Sequence, residues 1–188
     1  MKATCIVGSA RANGSTSYLA DMFIKGFTEC GGEAVKYCLS ECDIRYCIGC
    51  KHCYTDGRCV IDDDVSRIVR RVLDSDVVLI ATPSYWADVP GQLKTYFDRN
   101  TPYGDTNLNR VLTAKKRIRG IGIAVRAGKS ERENELILDF IDHYFGHLGI
   151  EPTQRFSVRE VDTFDDLTAR HQDVIMKIYQ LGYDFASL

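Results

Sequence analysis

Cys47, Cys50, Cys53 and Cys59 put four thiols into a short stretch of this chain, spaced C-x2-C-x2-C-x5-C. An x2 gap sets successive sulfurs on one side of a tight loop, close enough to share an inorganic centre. Three such cysteines with a fourth soon after is the local pattern of iron–sulfur ligation. The match is partial, because the bacterial ferredoxin run closes on x3 and a proline, whereas here the last gap is x5 and Val60 follows. Zinc favours two separated knuckles or a Cys/His mixture. Zinc, bare thiols and a disulfide-stapled loop therefore stay open as alternatives, with His52 as a further candidate ligand.

A second group of residues suits a phosphate. Gly8–Ser17 is small, polar and rich in hydroxyls, and lies between an apolar run at Ala3–Val7 and a helical repeat of Leu19, Phe23 and Phe27. A helix N-terminus presents unpaired N–H groups and partial positive charge, and small residues let an anion approach them. This loop contains neither G-x-G-x-x-G nor G-K-[ST], which disfavours dinucleotide and P-loop nucleotide sites there. Hydroxyls in place of a P-loop lysine suit a terminal monophosphate, with Arg11 beside it. A third loop, Thr82–Gly91, follows the most continuous β-branched run and carries Tyr85 and the chain's one Trp, Trp86, between two prolines. Arg126–Gly128 is another small-residue loop after a strand. A phosphate loop beside aromatic side chains suits a flat ring on a phosphorylated tail, and FMN fits better than a free nucleotide. The plain alternatives are an ordinary βα turn and aromatics folded into the core.

These loops need a frame. Strands are expected at Ala3–Val7, Glu33–Cys38, Val77–Ala81, Arg117–Val125 and Thr153–Val158. Helices are expected after the first loop, at Val65–Leu73, around Leu93–Phe97, over Leu136–Leu148, and after a cap at Thr163. The helix over Leu136–Leu148 is marked by Leu136, Ile137, Phe140, Ile141, Tyr144, Phe145 and Leu148. Asp62–Asp64 reads as a dipole-favoured helix start rather than a metal site. The alternation makes an α/β fold, a parallel sheet of order 2-1-3-4-5 with helices on both faces in a flavodoxin-like three-layer sandwich. Ligands of such sheets bind at the strand ends, near the switch point between strands one and three. We expect one domain over residues 1–188, with a cysteine-rich insertion at about 39–62 beside the loop end of strand one. A formal charge of −2 gives no case for nucleic acid, and no apolar run is long enough to span a membrane. Eight cysteines without a recognisable export signal point to a cytoplasmic protein. No Ser/His/Asp or paired-carboxylate arrangement can be assembled, so no catalytic side chain is assigned and hydrolysis is unsupported.

Gly8-Ser9-x-Arg11-x-Asn13-Gly14-x-Thr16-Ser17, followed by Pro83-Ser84-Tyr85-Trp86-x3-Pro90-Gly91-x-Leu93-Lys94 and Asp98-Arg99, resembles the NADPH-dependent FMN reductase superfamily. Within it, the cysteine spacing with Gly57 and Asp62–Asp64 is similar to the iron-sulfur flavoproteins. The likeness is strong over Ala3–Arg99 and lies chiefly in layout beyond. It implies that Ser9, Arg11, Asn13, Ser15, Thr16 and Ser17 hold the FMN phosphate and tail. Pro83, Ser84, Tyr85 and Trp86 would line the isoalloxazine, with Ala127 and Gly128 at its other edge. Cys47, Cys50, Cys53 and Cys59 would bind a [4Fe-4S] cluster. The implied protein is a flavin-dependent oxidoreductase passing electrons between cluster and FMN. Its donor is ferredoxin-like or NAD(P)H, its acceptor a small molecule, and its assembly a homodimer or homotetramer. The alternative is an NAD(P)H-dependent FMN or quinone reductase without a cluster.

Overall fold

Val77–Pro83 is apolar at nearly every position and forms the central strand, β3, buried on both faces. It lies between β1 (Lys2–Val7) and β4 (Ile118–Val125), with β2 (Glu33–Cys38) and β5 (Ile150–Val158) at the edges. All four pairings are parallel and the order is 2-1-3-4-5, as expected. The computed structural model describes residues 1–187.

The helices are α1 (Ser15–Glu29), the single turn α2 (Cys53–Asp56), α3 (Asp64–Leu73), α4 (Gly91–Asp98), α5 (Glu131–His147), α6 (Phe164–Arg170) and α7 (Gln172–Ala186). One sheet face packs on α3, α4 and α5 through Val65, Ile68, Leu93, Tyr96, Ile137, Ile141 and Phe145. The other packs on α1, α6 and α7 through Leu19, Phe23, Phe27, Leu167, Ile175 and Ile178. Two glycines let α1 and α7 close on each other. A Cβ on Gly26 would lie 2.0 Å from the Tyr179 carbonyl oxygen, and one on Gly182 would lie 2.2 Å from that of Phe23.

Three details differ from the sequence reading. β5 begins at Ile150, ahead of Thr153, and admits Pro152 because an edge strand has a side with no partner to receive an N–H. The last helical stretch is two helices broken at His171, whose φ of −126° is not helical. Leu136 is exposed and Leu138 is buried in its place, so the apolar face of α5 is rotated by part of a turn. The cap at Thr163 is as expected, with Thr163 and Asp166 exchanging side-chain and backbone hydrogen bonds.

Candidate functional site

β1, β3 and β4 are sheet neighbours, so the loops leaving their C-terminal ends start side by side. Hydrogen bonds fix their roots: Gly8 N–H donates to the Ala81 carbonyl at 2.8 Å, and Ser84 N–H to the Val125 carbonyl at 2.8 Å. Gln92, from the first turn of α4, donates to the Gly8 carbonyl at 3.1 Å. Gly8 is needed for this closeness, since a Cβ there would stand 2.8 Å from a Leu93 methyl.

The first loop is shaped as an anion cradle. Ser9 is buried and its hydroxyl accepts from the Arg11 N–H at 3.1 Å. Gly14 caps α1 with no side chain, which leaves the first-turn amides unmatched by a side-chain acceptor. Thr16 and Ser17 are buried at that terminus, and Ser17 Oγ accepts from Lys36 at 3.1 Å. Arg11 and Asn13 are exposed at the mouth, in an open cleft with Ser15 and Phe164. Phe164 sits edge-on to Tyr18, and Ser15 Oγ donates to the Thr163 carbonyl at 3.3 Å. Lys36, Gln92 and Phe164 were missed by sequence reasoning. Each comes from a distant element, and none carries a local signal.

The aromatic loop is a tight two-residue turn. Tyr85 and Asp88 exchange backbone hydrogen bonds of 2.9 and 3.0 Å, with Trp86 and Ala87 at its tip. Both tip residues have positive φ, 56° and 61°, a region costly for residues with a Cβ. The Trp86 ring is fully exposed and Tyr85 is half exposed. Pro83 and Ser84 are half-buried at the root. At the third loop, Ala127 is exposed and Gly128 lies under the Arg126 guanidinium, which pairs with Glu133 at 2.5 Å. Every residue expected to hold FMN thus lies on one of three adjoining loops or on the strand end or first helical turn that borders it. Deep hydroxyls and open helix amides at one end, with an aromatic turn at the other, fit a phosphate joined to a flat ring.

The cysteines occupy a different place. Cys47, Cys50, Cys53 and Cys59 line one cleft with Ile61, Arg99, Thr101 and Pro102. None of the three flavin loops contributes to its wall. The expectation that the insertion lies beside the loop end of strand one is therefore refined: its cleft meets the far end of α4, not the phosphate loop. Asp63 and Arg99 close the base of the loop. Arg99 donates to both carboxylate oxygens of Asp63, at 2.5 and 3.1 Å, and to the Arg45 and Ile61 carbonyls at 2.7 and 3.3 Å. Asn107 holds the Cys53 carbonyl at 2.9 Å from below, and Asn109 holds that of Tyr54. Burial, then the neighbouring Cys59 thiol and more weakly Cys47 and Cys50, push the Cys53 thiol above its usual range. His52 turns outward to Asp56 at 3.3 Å, away from the cysteine cleft.

Among the described residues, no three His, Cys, Asp or Glu side chains converge as a single metal ion would need. A four-iron cluster makes a different demand, because each thiolate ligates its own iron and the sulfurs stand further apart. The Arg99 Nε–H gives an independent test of fit. It is buried without a partner in the wall of a cleft lined by four thiols. A sulfur-rich group would satisfy it.

A family model described as NADPH-dependent FMN reductase matches residues 1–144. An iron-sulfur flavoprotein of Archaeoglobus fulgidus is 41% identical over 104 residues, 55% of this chain and 47% of that protein, so the chain spans about half the length of that relative. An iron-sulfur flavoprotein of Methanocaldococcus jannaschii is 31% identical over 150 residues, 77% of this chain and 71% of its own length. Among solved structures, an NAD(P)H:quinone oxidoreductase of Methanothermobacter marburgensis superposes with a TM-score of 0.76 over 98% of this chain and 96% of that one. At 16% identity that likeness is one of fold.

Proposed function

The chain belongs to the iron-sulfur flavoproteins of the NADPH-dependent FMN reductase family, and from that membership we propose that it is an FMN-dependent oxidoreductase passing electrons between a [4Fe-4S] cluster and FMN. The observation that carries the reading is the meeting of the Ser9–Ser17 cradle and the Tyr85–Asp88 turn on adjoining strand ends. When bound, FMN supplies two-electron chemistry and the cluster single-electron steps. The protein's part is to bind, orient and tune them. Ser9, Ser15, Thr16 and Ser17, with the open amides of α1, receive the phosphate, and Arg11 and Asn13 close over it. Pro83, Ser84, Tyr85 and Trp86 line the ring, and Ala127 and Gly128 bound its other edge. Cys47, Cys50, Cys53 and Cys59 hold the cluster.

The electron donor in this reading is ferredoxin-like or NAD(P)H, and the acceptor is a small molecule. Exposed apolar side chains at the cysteine cleft, Ile48 and Val60, support a homodimer or homotetramer. A cytoplasmic setting suits thiols that must stay reduced. Among the described residues no helix is long and apolar enough to cross a membrane.

Anaerobic purification with iron, zinc and FMN counted per chain tests the reading. About four iron atoms and one FMN per chain are expected, the iron lost on Cys50→Ala. FMN without iron after reconstitution sinks the cluster and leaves an NAD(P)H-dependent FMN or quinone reductase. A chain that takes no flavin sinks both.

A further inference from the structure

Arg99 is 2% exposed, and its guanidinium is almost fully committed. Nη1 and Nη2 are spent on Asp63, Arg45 and Ile61, in a fork that no lysine reproduces. One donor remains: Nε–H is buried and has no acceptor. A buried donor left unmade is costly, so an acceptor is expected wherever the fold retains one. Arg99 and Cys59 line the same four-cysteine cleft. The Asp63 clasp fixes the guanidinium plane and leaves it no freedom to turn away.

We propose that Arg99 is a positioning and potential-setting residue: its Nε–H donates to the sulfur of Cys59, or of the centre that Cys59 holds, and so favours the reduced centre. This rests on the cluster reading above. A reduced cluster carries one more negative charge than the oxidised one. A hydrogen-bond donor aimed at its sulfur therefore stabilises the reduced state more, and raises the potential. The positive charge of Arg99 is matched by Asp63 close by. The directed N–H, rather than net charge, is accordingly the larger part of the effect.

The test compares anaerobically reconstituted full-length wild type, Arg99→Lys, and the paired change Asp63→Asn with Arg99→Gln. The paired change removes both charges together, so neither is left buried alone. Arg99→Lys keeps a cation for Asp63 but places a methylene where the Nε–H stood. Iron and FMN per chain are measured first, then the cluster midpoint by redox titration followed by electron paramagnetic resonance. Expected are equal iron and FMN and a lower cluster midpoint in both variants. The shift should be at least tenfold in the reduction equilibrium, about 59 mV for one electron. A merely structural role would change the melting temperature or the iron content without moving the midpoint of the loaded protein. Unchanged midpoints at equal iron overturn the proposal, as does loss of iron from both variants while the circular dichroism stays native. Wild type that takes up no iron overturns the cluster reading itself, and the role of Arg99 with it.

Discussion

At the scale of single residues, the aromatic turn is where the backbone is most visibly strained. Trp86 and Ala87 sit at φ of 56° and 61°, where a Cβ crowds the following carbonyl. Glycine would make the same turn without that cost, and strain of this kind collects at ligand sites. Ala87→Gly is expected to raise stability by about 1 kcal/mol, read from the urea midpoint of the flavin-free protein. Trp86→Gly should relieve similar strain and yet weaken FMN retention, seen in a fluorescence titration of the flavin. An equal gain in stability with undiminished flavin binding would mean that the indole is not part of the ring's wall. The type and position of these side chains were legible in the sequence, since two prolines and two aromatics after a buried strand are a local signal. The left-handed conformation was not legible, because nothing in Trp-Ala asks for it; the Tyr85–Asp88 hydrogen bonds impose it.

At the scale of elements, Asp63 and Arg99 join the start of α3 to the end of α4. Asp63 caps α3 by accepting from Val65 N–H at 3.2 Å, and it is the carboxylate that Arg99 grips. Both side chains are essentially fully buried. Removing one partner leaves the other charge uncompensated, so Asp63→Ala should cost about 3–5 kcal/mol in chemical denaturation. The pair also sets an acid dependence. Burial opposes ionisation of Asp63, but hydrogen bonds from Arg99 and the Arg45 N–H outweigh it and hold the carboxyl below its usual range. A depressed folded pKa contributes stability that is complete above the unfolded aspartate value of about 3.9 and is lost as pH falls through the folded one. Asp63→Asn should therefore show a shallower loss of stability on acidification, measured by urea melts at several pH values. A second contact tests the helix layer on the opposite face. Gly182→Ala would drive a methyl to within 2.2 Å of the Phe23 carbonyl, forcing α1 and α7 apart at about 1–3 kcal/mol. The aspartate run was legible as a helix start because capping is local. Its arginine partner lies 36 positions along the chain, and the glycine crossing joins the first helix to the last, so no spacing rule reaches either.

At the scale of the whole molecule, the strand order was legible because alternating strands and helices with right-handed crossovers leave few arrangements. The placement of the cysteine insertion was not legible. It is set by the irregular stretch 101–116, whose Asn107 and Asn109 hold the loop, and by Arg99 at the end of α4. The consequence is two separate sites joined by one helix. α4 starts against the phosphate loop through Gln92 and ends at the cysteine cleft, a run of eight residues, or about 12 Å at 1.5 Å per residue. Because no wall residue is shared, flavin binding should not depend on the cluster. Cys50 is exposed and outside the hydrophobic core, so Cys50→Ala should fold with wild-type stability. The expected result for Cys50→Ala is loss of iron with FMN still near one per chain and an unchanged flavin dissociation constant, measured by fluorescence on the same preparation. Reduction of its flavin by dithionite should persist, while reduction through a one-electron donor that enters at the cluster should slow. Should FMN leave together with the iron, the two sites are coupled by more than α4. The insertion would then be part of the flavin pocket rather than a neighbour reached through a helix.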